Sequence, residues 1–406
     1  MRVTTAFNRL LALQGARVID VLFGADGISV RVALRRRRAA CSGCGQVCDR
    51  VHDRALRRWR HLDLAGNRCF VEYELRRVRC ADCGVRVEAV PWARASARHT
   101  RDFEDIVAFM AQQMAKTPIT RLLRIGWDTV GQIVSRVVAD RLDADRLQGL
   151  VMIGVDEISY RRGQRYLTQV CDHQTGAIVW AKPGRNAQTL QDFFDELGDR
   201  KNSIRAVSID MNGSYEKAIR RSVPDAEVCF DPFHVVQLAG RAVDDVRRAE
   251  WNTAGKSKTG HGRWVKSVRW SLLKAPEKQT VRQLAALHEV SHANKRLYRA
   301  FLLKEELRLL YHLPDPALAE DHLTAWLAWA SRSKLKAFVK LARTLRARRA
   351  GILAAIRLGL SNGRMEGLNS KVRLLSHRSF GFHGPQPLIA LIYLCCSGLI
   401  INPPLR

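Results

Sequence analysis

Two short motifs constrain this chain more than anything else in it. Cys41-Ser-Gly-Cys44 and Cys80-Ala-Asp-Cys83 are C-x₂-C pairs separated by a spacer of 35 residues. Each sits on a tight turn, with Gly43 and Gly45 in the first and Gly84 after the second. Such knuckles aim two thiolates at one point, and two of them complete a tetrahedral Zn²⁺ site. Four protein ligands leave no open position, so the zinc would be structural. A redox pair is the competing reading, and Cys48, His52, His61 or Cys69 stands close enough in sequence to replace a ligand.

The surroundings of these motifs say what the module is for. Residues 31–101 hold 18 Arg against 7 acids, residues 332–349 hold 8 Lys/Arg and no acid, and residues 251–274 hold 6 and no acid. The whole chain of 406 residues carries a formal net charge of +29. Clustered excess of this kind suits a polyanion bound through its phosphates. The opening segment has no continuous apolar h-region, so no signal peptide is expected. The longest apolar run, Leu388 to Ile400, is too short for a membrane span, which needs ~20 residues, and reads as a buried C-terminal helix. A cytoplasmic location with no membrane partner follows, where thiols stay reduced and the 10 cysteines are ligands or core residues rather than disulfides.

Periodicity divides the rest. Residues 41–95 alternate as short strands would. Residues 102–147 read as three helices: Asp102 to about Lys116, Ile119–Arg124 behind Thr117-Pro118, and a longer one from Asp128 or Thr129 through Arg141, with Gly126 making the turn. Helix, tight turn, helix is the layout of a helix-turn-helix unit. It would point Arg121, Arg124, Gln132 and Arg136 at DNA, although a plain helical linker would look similar.

From Gly149 the pattern changes to buried strands at Leu150–Val155, Tyr166–Cys171, Ile178–Ala181, Ile204–Ile209 and Glu227–Phe230. Helices fall at Thr189–Leu197 and Tyr215–Arg220. From His234 to about Ala355 almost everything is helical. This is an α/β sheet interrupted by a helical insertion. Within the insertion Arg263-Trp264, Lys266 and Arg269-Trp270 would grip DNA through phosphates and stacking, whereas Trp326 and Trp329 read as buried residues of amphipathic helices.

Asp156 and Asp210 each follow one of the apolar strands, where desolvation of a lone carboxylate is expensive. Glu157 is expected to point to the opposite side. A third acid, Glu366, lies in Ser361-Asn-Gly-Arg-Met-Glu-Gly-Leu-Asn369, where Met365, Leu368, Val372 and Leu375 repeat as a core face. Asn362, Glu366, Asn369 and Arg373 share another face of that helix. Three such acids would hold two Mg²⁺ (or Mn²⁺) ions, the oxygen-rich set disfavouring zinc. Asp231 and His234, in Asp231-Pro-Phe-His234, are near-site candidates, with a helix cap for Asp231 and a packed histidine as the plainer alternatives.

These runs resemble the ISL-three group of bacterial insertion-sequence transposases. The resemblance rests on the four cysteines, on Gly154-Val-Asp156-Glu, Ser208-Ile-Asp210-Met and Asp231-Pro-Phe-His234, and on Ser361 to Lys371 with Ser379-Phe-Gly-Phe-His383. It implies an RNase H-like catalytic domain with an Asp156/Asp210/Glu366 triad, an all-helical insertion between the second Asp and the Glu, and Lys371 among the DNA contacts. The intervals, 54 residues from Asp156 to Asp210 and 156 more to Glu366, fit that pattern. It also implies Mg²⁺-dependent cleavage and transfer of DNA strands, recognition of double-stranded terminal inverted repeats and target DNA, and work as a homodimer or higher oligomer. The expected division is 1–98 with the finger, 99–148 as helix-turn-helix, and 149–406 as catalytic domain with the insertion at about 240–355. A zinc-dependent regulator that binds operators without cutting would explain the first 147 residues but not the later carboxylates. A structure-selective nuclease of the same fold would need no specific terminal sequence.

Overall fold

The computed structural model describes residues 2–161, 163, 165–211, 213–379, 382 and 384–404. Phe380, Gly381 and His383 of the C-terminal motif lie outside the described residues. The chain splits into two compact units, Met1–Ala144 with Leu374–Arg406, and Asp145–Arg373.

In the first unit α1 (Val3–Leu11) covers a sheet begun by β1 (Ala16–Gly24) and β2 (Gly27–Leu34). A small ladder of β3 (Ala39–Ala40) and β4 (Val47–Cys48) follows, then β5 (Val51–Leu64), β6 (Asn67–Cys80) and β7 (Gly84–Val87). The strand order is β1-β2-β6-β5, with β7 also on β6. Cys69, Val71, Tyr73 and Leu75 alternate inward from β6 onto Trp59 and Trp92, as a period of two requires.

The strands here are not short. β5 and β6 form a hairpin of two 14-residue arms. That hairpin explains the long spacer between the cysteine pairs, because its register brings Val78 back opposite Val51. The chain travels out and returns, so the second knuckle lands beside the first.

Three helices follow: α2 (Arg101–Gln113), α3 (Lys116–Leu123) and α4 (Trp127–Arg141). The first starts one residue earlier than Asp102, because the Thr100 hydroxyl accepts from the Phe103 N–H and caps it. The turn between α3 and α4 is made by Arg124 in the left-handed region (φ 54°), whereas Gly126 has an ordinary extended backbone. Glycine was therefore a poor marker of where the chain reverses.

The second unit holds β8 (Met152–Arg161), β9 (Arg165–Asp172), β10 (Ile178–Pro183), α5 (Ala187–Leu197), β11 (Ala206–Ile209), α6 (Gly213–Ser222) and β12 (Glu227–Phe230). The sheet order is β10-β9-β8-β11-β12, antiparallel among the first three and parallel from β8 through β12. This is an RNase H-like sheet.

The helical insertion runs through α7 (Pro232–Thr253), α8 (Gly260–Ser267), α9 (Arg269–Leu273), α10 (Val281–Ala293), α11 (Lys295–Leu309), α12 (Ala319–Arg332), α13 (Lys336–Ala347) and α14 (Arg349–Arg357). Trp326 is buried and Trp329 half-buried in its core, as amphipathic spacing predicts. Helix α14 lies directly on β12, and only glycine permits it. A Cβ on Gly351 would come within 2.6 Å of the Val228 carbonyl oxygen.

After α15 (Gly363–Arg378), α16 (Pro385–Cys396) packs its Leu391 and Leu394 with Phe103, Ile119 and Val137 of α2–α4. The C-terminal helix is buried as expected, but in the core of the helix-turn-helix segment rather than that of the sheet with which its sequence position groups it. Its apolar surface is complementary to α2 and α4, and chain order does not dictate where such a surface is buried. No helix among the described residues is long and apolar enough to cross a membrane.

Candidate active site

The register of the parallel ladder positions the first two acids. Ser208 on β11 stands opposite Gly154 on β8, so two residues further on Asp210 leaves the end of β11 level with Asp156. Asp156 is not at a strand end, because β8 continues to Arg161 in a hairpin with β9. Beyond Gly154, however, β8 has lost its β11 neighbour, and that edge is open. Glu157 also borders the cleft, with its carboxylate turned to α6 where Asp156 turns to α15: it accepts from the Tyr215 hydroxyl at 3.3 Å, and that hydroxyl is 2.9 Å from Thr168 Oγ1.

Helix α15 brings the third acid. It approaches closely because Gly154 has no side chain; a Cβ there would meet Met365 at 3.1 Å and Cys171 Sγ at 3.0 Å. Met365, Val372 and Leu375 are buried, and Asn362, Glu366, Asn369 and Arg373 all line a cavity of about 400 Å³ together with Asp156, Glu157, Asp210, Asp231, Phe233 and His234. Asn362 immediately precedes α15 and Arg373 lies eleven positions further on, yet positions i, i+4, i+7 and i+11 fall on one stripe.

Polar contacts fix the acids. Asp156 accepts from the Glu157 N–H at 2.7 Å and from Asn369 Nδ2 at 2.6 Å. Burial, with the nearby negative charge of Asp210, holds the Asp156 carboxyl above the usual carboxylate range. Burial and Asp210 push Glu157 the same way. Arg348 of the insertion donates to the Met211 carbonyl at 2.6 Å, bracing the loop that carries Asp210.

Asp231 starts α7, but its carboxylate does not cap that helix; it accepts from the Asn362 N–H at 2.9 Å. His234 borders the cleft, its Nε2 3.9 Å from Asp231. Sequence reasoning set Glu157 aside and missed Tyr215, His173 and Ser208. Glu157 and Ser208 lay within recognised motifs, but the other two carry no local signal, since their roles come from pairing across the sheet.

The donor set fits a hard cation. It is all oxygen, burial together with the nearby Asp210 holds the Asp156 carboxyl above its ordinary range, and the buried Asn369 Oδ1 beside Asp156 has no partner among the described residues. The acids are not drawn as close as metal ligands. The one group of three or more candidate ligands within 4.8 Å of one another, among the described residues, is Cys41, Cys44, Cys80 and Cys83.

That cysteine group fits zinc. The Gly43 N–H reaches Cys41 Sγ at 3.3 Å, and Cys44 and Cys80 sulfurs are 3.4 Å apart. The Cys83 backbone N–H lowers the Cys80 thiol to about 7, while hydrogen bonding to Cys44 and burial push Cys83 up to about 12, so the four thiols hold their protons as one cluster. None of the four proposed substitutes joins the group. Cys48 turns its sulfur to the Gln46 carbonyl, Cys69 is buried in the sheet core with its thiol pushed up to about 11, His61 bonds Thr100, and His52 lies beside Arg79.

The basic candidates divide. Arg121 and Gln132 are exposed on α3 and α4, and Arg263, Lys266 and Lys371 on α8 and α15. Arg124 is instead drawn to Asp63 and the Gly66 carbonyl, and Arg136 to Glu104 at 2.8 Å. Glu104 is fully buried beside Arg94, so Arg136 neutralises a core carboxylate rather than facing out. Arg269 is shared between Asp244 at 3.3 Å and the exposed Trp270 ring, while Trp264 is half-buried.

Three family models match in succession. The zinc-finger of transposases IS204/IS1001/IS1096/IS1165 matches residues 37–83, the helix-turn-helix domain of transposase family ISL3 matches 88–138, and the ISL3 transposase domain matches 153–392. The transposase for insertion sequence element IS1557 of Mycobacterium tuberculosis is 41% identical, covering 98% of this chain and 96% of that protein. That of element IS1001 of Bordetella parapertussis is 30% identical over 85% and 86%. Among solved structures, the Drosophila P element transposase strand transfer complex aligns with a TM-score of 0.41 at 10% identity, over 73% of this chain and 92% of that one. The chain thus belongs to the ISL3 family of DDE transposases, metal-dependent enzymes that cleave DNA strands and transfer them.

Proposed function

We propose that Asp156, Asp210 and Glu366 form the metal-binding triad of this transposase, and that residues 1–98 and 99–148, the latter packed with the C-terminal helix, deliver the terminal inverted repeats of an insertion sequence to the catalytic region that begins at 149. The observation that carries the reading is the convergence of three acids from β8, the end of β11 and α15 on one cleft, although 210 residues separate the first from the last. Their carboxylates would hold Mg²⁺ or Mn²⁺, which when bound polarises the attacking hydroxyl and stabilises the departing oxygen.

The chain's own groups do the positioning. Asn369 and the Glu157 N–H orient Asp156, Arg348 braces the loop after Asp210, and the buried face of α15 sets the height of Glu366. Water is the nucleophile for cleavage, leaving a 3′-OH on the element. That 3′-OH is the nucleophile for joining to double-stranded target DNA at the same cleft. Joining two ends calls for at least a homodimer at the nucleoid.

Arg121, Gln132, Arg263, Lys266 and Lys371 are exposed and would contact DNA; Arg124 and Arg269 are exposed as well but each shares a carboxylate, and Arg136 is engaged by buried Glu104. The decisive experiment is cleavage of a labelled element-end duplex with Mg²⁺, comparing wild type with Glu366→Gln. Cleavage to 3′-OH ends by wild type, and none by a variant that still binds, supports the triad. Equal cleavage by both would remove Glu366 from it, and binding without cleavage by either would favour an operator-binding regulator.

A further inference from the structure

The Asp231-Pro-Phe-His234 motif borders the catalytic cleft, yet its acid makes a contact unlike that of the other carboxylates. Asp231 is only 4% exposed, and its Oδ1 is committed to the Asn362 backbone N–H at 2.9 Å. Asn362 immediately precedes α15, and its own carbonyl accepts from the Glu366 N–H at 2.8 Å. The Asn362 side chain is held as well. Its Oδ1 accepts from the Ser208 hydroxyl, and Ser208 Oγ is 2.7 Å from His173 Nε2. His173 is buried, and its own backbone carbonyl accepts from Arg364, in the first turn of α15. The start of the helix that carries Glu366 is therefore pinned to β11 by Ser208, to the β9–β10 turn by His173, and to the start of α7 by Asp231.

We infer that Asp231 is a positioning residue and not a metal ligand: it clamps the first turn of α15 so that Glu366 stands at the height of the two strand-borne aspartates. This rests on the proposed triad. A helix N-terminus presents unsatisfied N–H groups, and a carboxylate is a strong acceptor for them. Here that acceptor comes from a different helix, 131 residues earlier in the chain. The motif spacing follows from this division of labour. Asp231 occupies the residue before α7 and turns to α15, whereas His234, three residues on, faces the cleft with its Nε2 3.9 Å from Asp231, beyond hydrogen-bond reach.

The test separates clamp from ligand by what each needs of the side chain. An amide oxygen still accepts from the Asn362 N–H, but it lacks the charge that a metal-binding carboxylate supplies. With wild type as the cleaving control on an element-end duplex, Asp231→Asn is expected to cleave within about threefold of wild type, with the same Mg²⁺ midpoint. Asp231→Ala is expected to lose roughly 10²-fold in single-turnover rate, the scale of a 1 Å misplacement, with end binding unchanged. Ser208→Ala, which releases the other side of Asn362, is expected to fall in the same direction by a smaller factor, and stands in if Asp231→Ala does not fold. Loss of cleavage in Asp231→Asn together with a raised Mg²⁺ midpoint would make Asp231 a metal ligand. Full activity in folded Asp231→Ala, or in Ser208→Ala where the first variant does not fold, would show that the clamp is idle. Absence of cleavage by wild type would overturn the triad itself, a distinct result.

Discussion

The cysteine centre and the carboxylate cleft solve the same problem, gathering like-charged ligands, in opposite ways. The four sulfurs lie within 4.8 Å of one another on two tight turns, brought together by one local hairpin. The cleft acids come from a strand, a strand end and a distant helix, and they stay farther apart than the sulfurs. A structural zinc site is closed by its ligands and contributes to folding directly. A catalytic site must leave room for substrate, so its acids are held by other groups and bear mutual repulsion.

Removing zinc from the intact protein sharpens that contrast most. Chelation is expected to abolish the ordered finger and the end binding that depends on it, since structural zinc couples to folding by on the order of 10 kcal/mol. Removing Mg²⁺ should leave the melting of the catalytic unit nearly unchanged. Calorimetry with each metal withdrawn separately checks this, and equal sensitivity of the two units would break the comparison.

The second expectation concerns Asp156. Asp156→Asn should lower cleavage by roughly 10³-fold, the upper range for losing one electrostatic contact, yet stabilise the metal-free protein at neutral pH. The sign follows from its raised carboxyl: the stability it contributes is present below the ordinary carboxylate range and lost as pH rises through the elevated folded value. A gain worth about 1 kcal/mol would raise Tm by about 2–4 °C, shrinking as the pH is lowered into the acid range. A variant less stable than wild type at neutral pH would show that the cost of burying the Asp156 charge beside Asp210 is negligible.

The smallest effects separate two arginines of the helical segment. Arg136→Ala removes one of the partners of buried Glu104 and should cost about 1–3 kcal/mol. Arg121→Ala, on an exposed position, should alter stability by less than about 0.5 kcal/mol. It should instead reduce the salt slope of DNA binding by about 1 if the side chain meets a phosphate. Urea melts and salt titrations of both variants would expose a reversal.

How far the site was legible varied with the distance over which it is built. The knuckles were readable because two glycine-bearing turns carry their geometry within a few residues. The four-residue stripe of α15 was readable because helical period alone decides which side chains share a face. Alternation turns Glu157 to Tyr215 of α6 and Asp156 to Asn369 of α15, but it could not show that the open strand edge lets both border one cleft. Arg124 and Arg136 were read as a DNA-facing pair, and their carboxylate partners, 61 and 32 residues away, could not be read from the helix alone. The C-terminal helix was recognisable as buried, but its partners were not.

By itself the sequence determined the zinc ligands, the order of strands and helices, the helical insertion, and which acids were candidates, because each depends on spacing within one element or turn. Tertiary structure alone decided that Asp231 serves α15 rather than its own helix, that Arg136 neutralises Glu104, and that Asp156 sits mid-strand at the end of a parallel ladder. Those outcomes depend on which unsatisfied donor or buried charge lies across the fold, and periodicity along the chain carries no record of that.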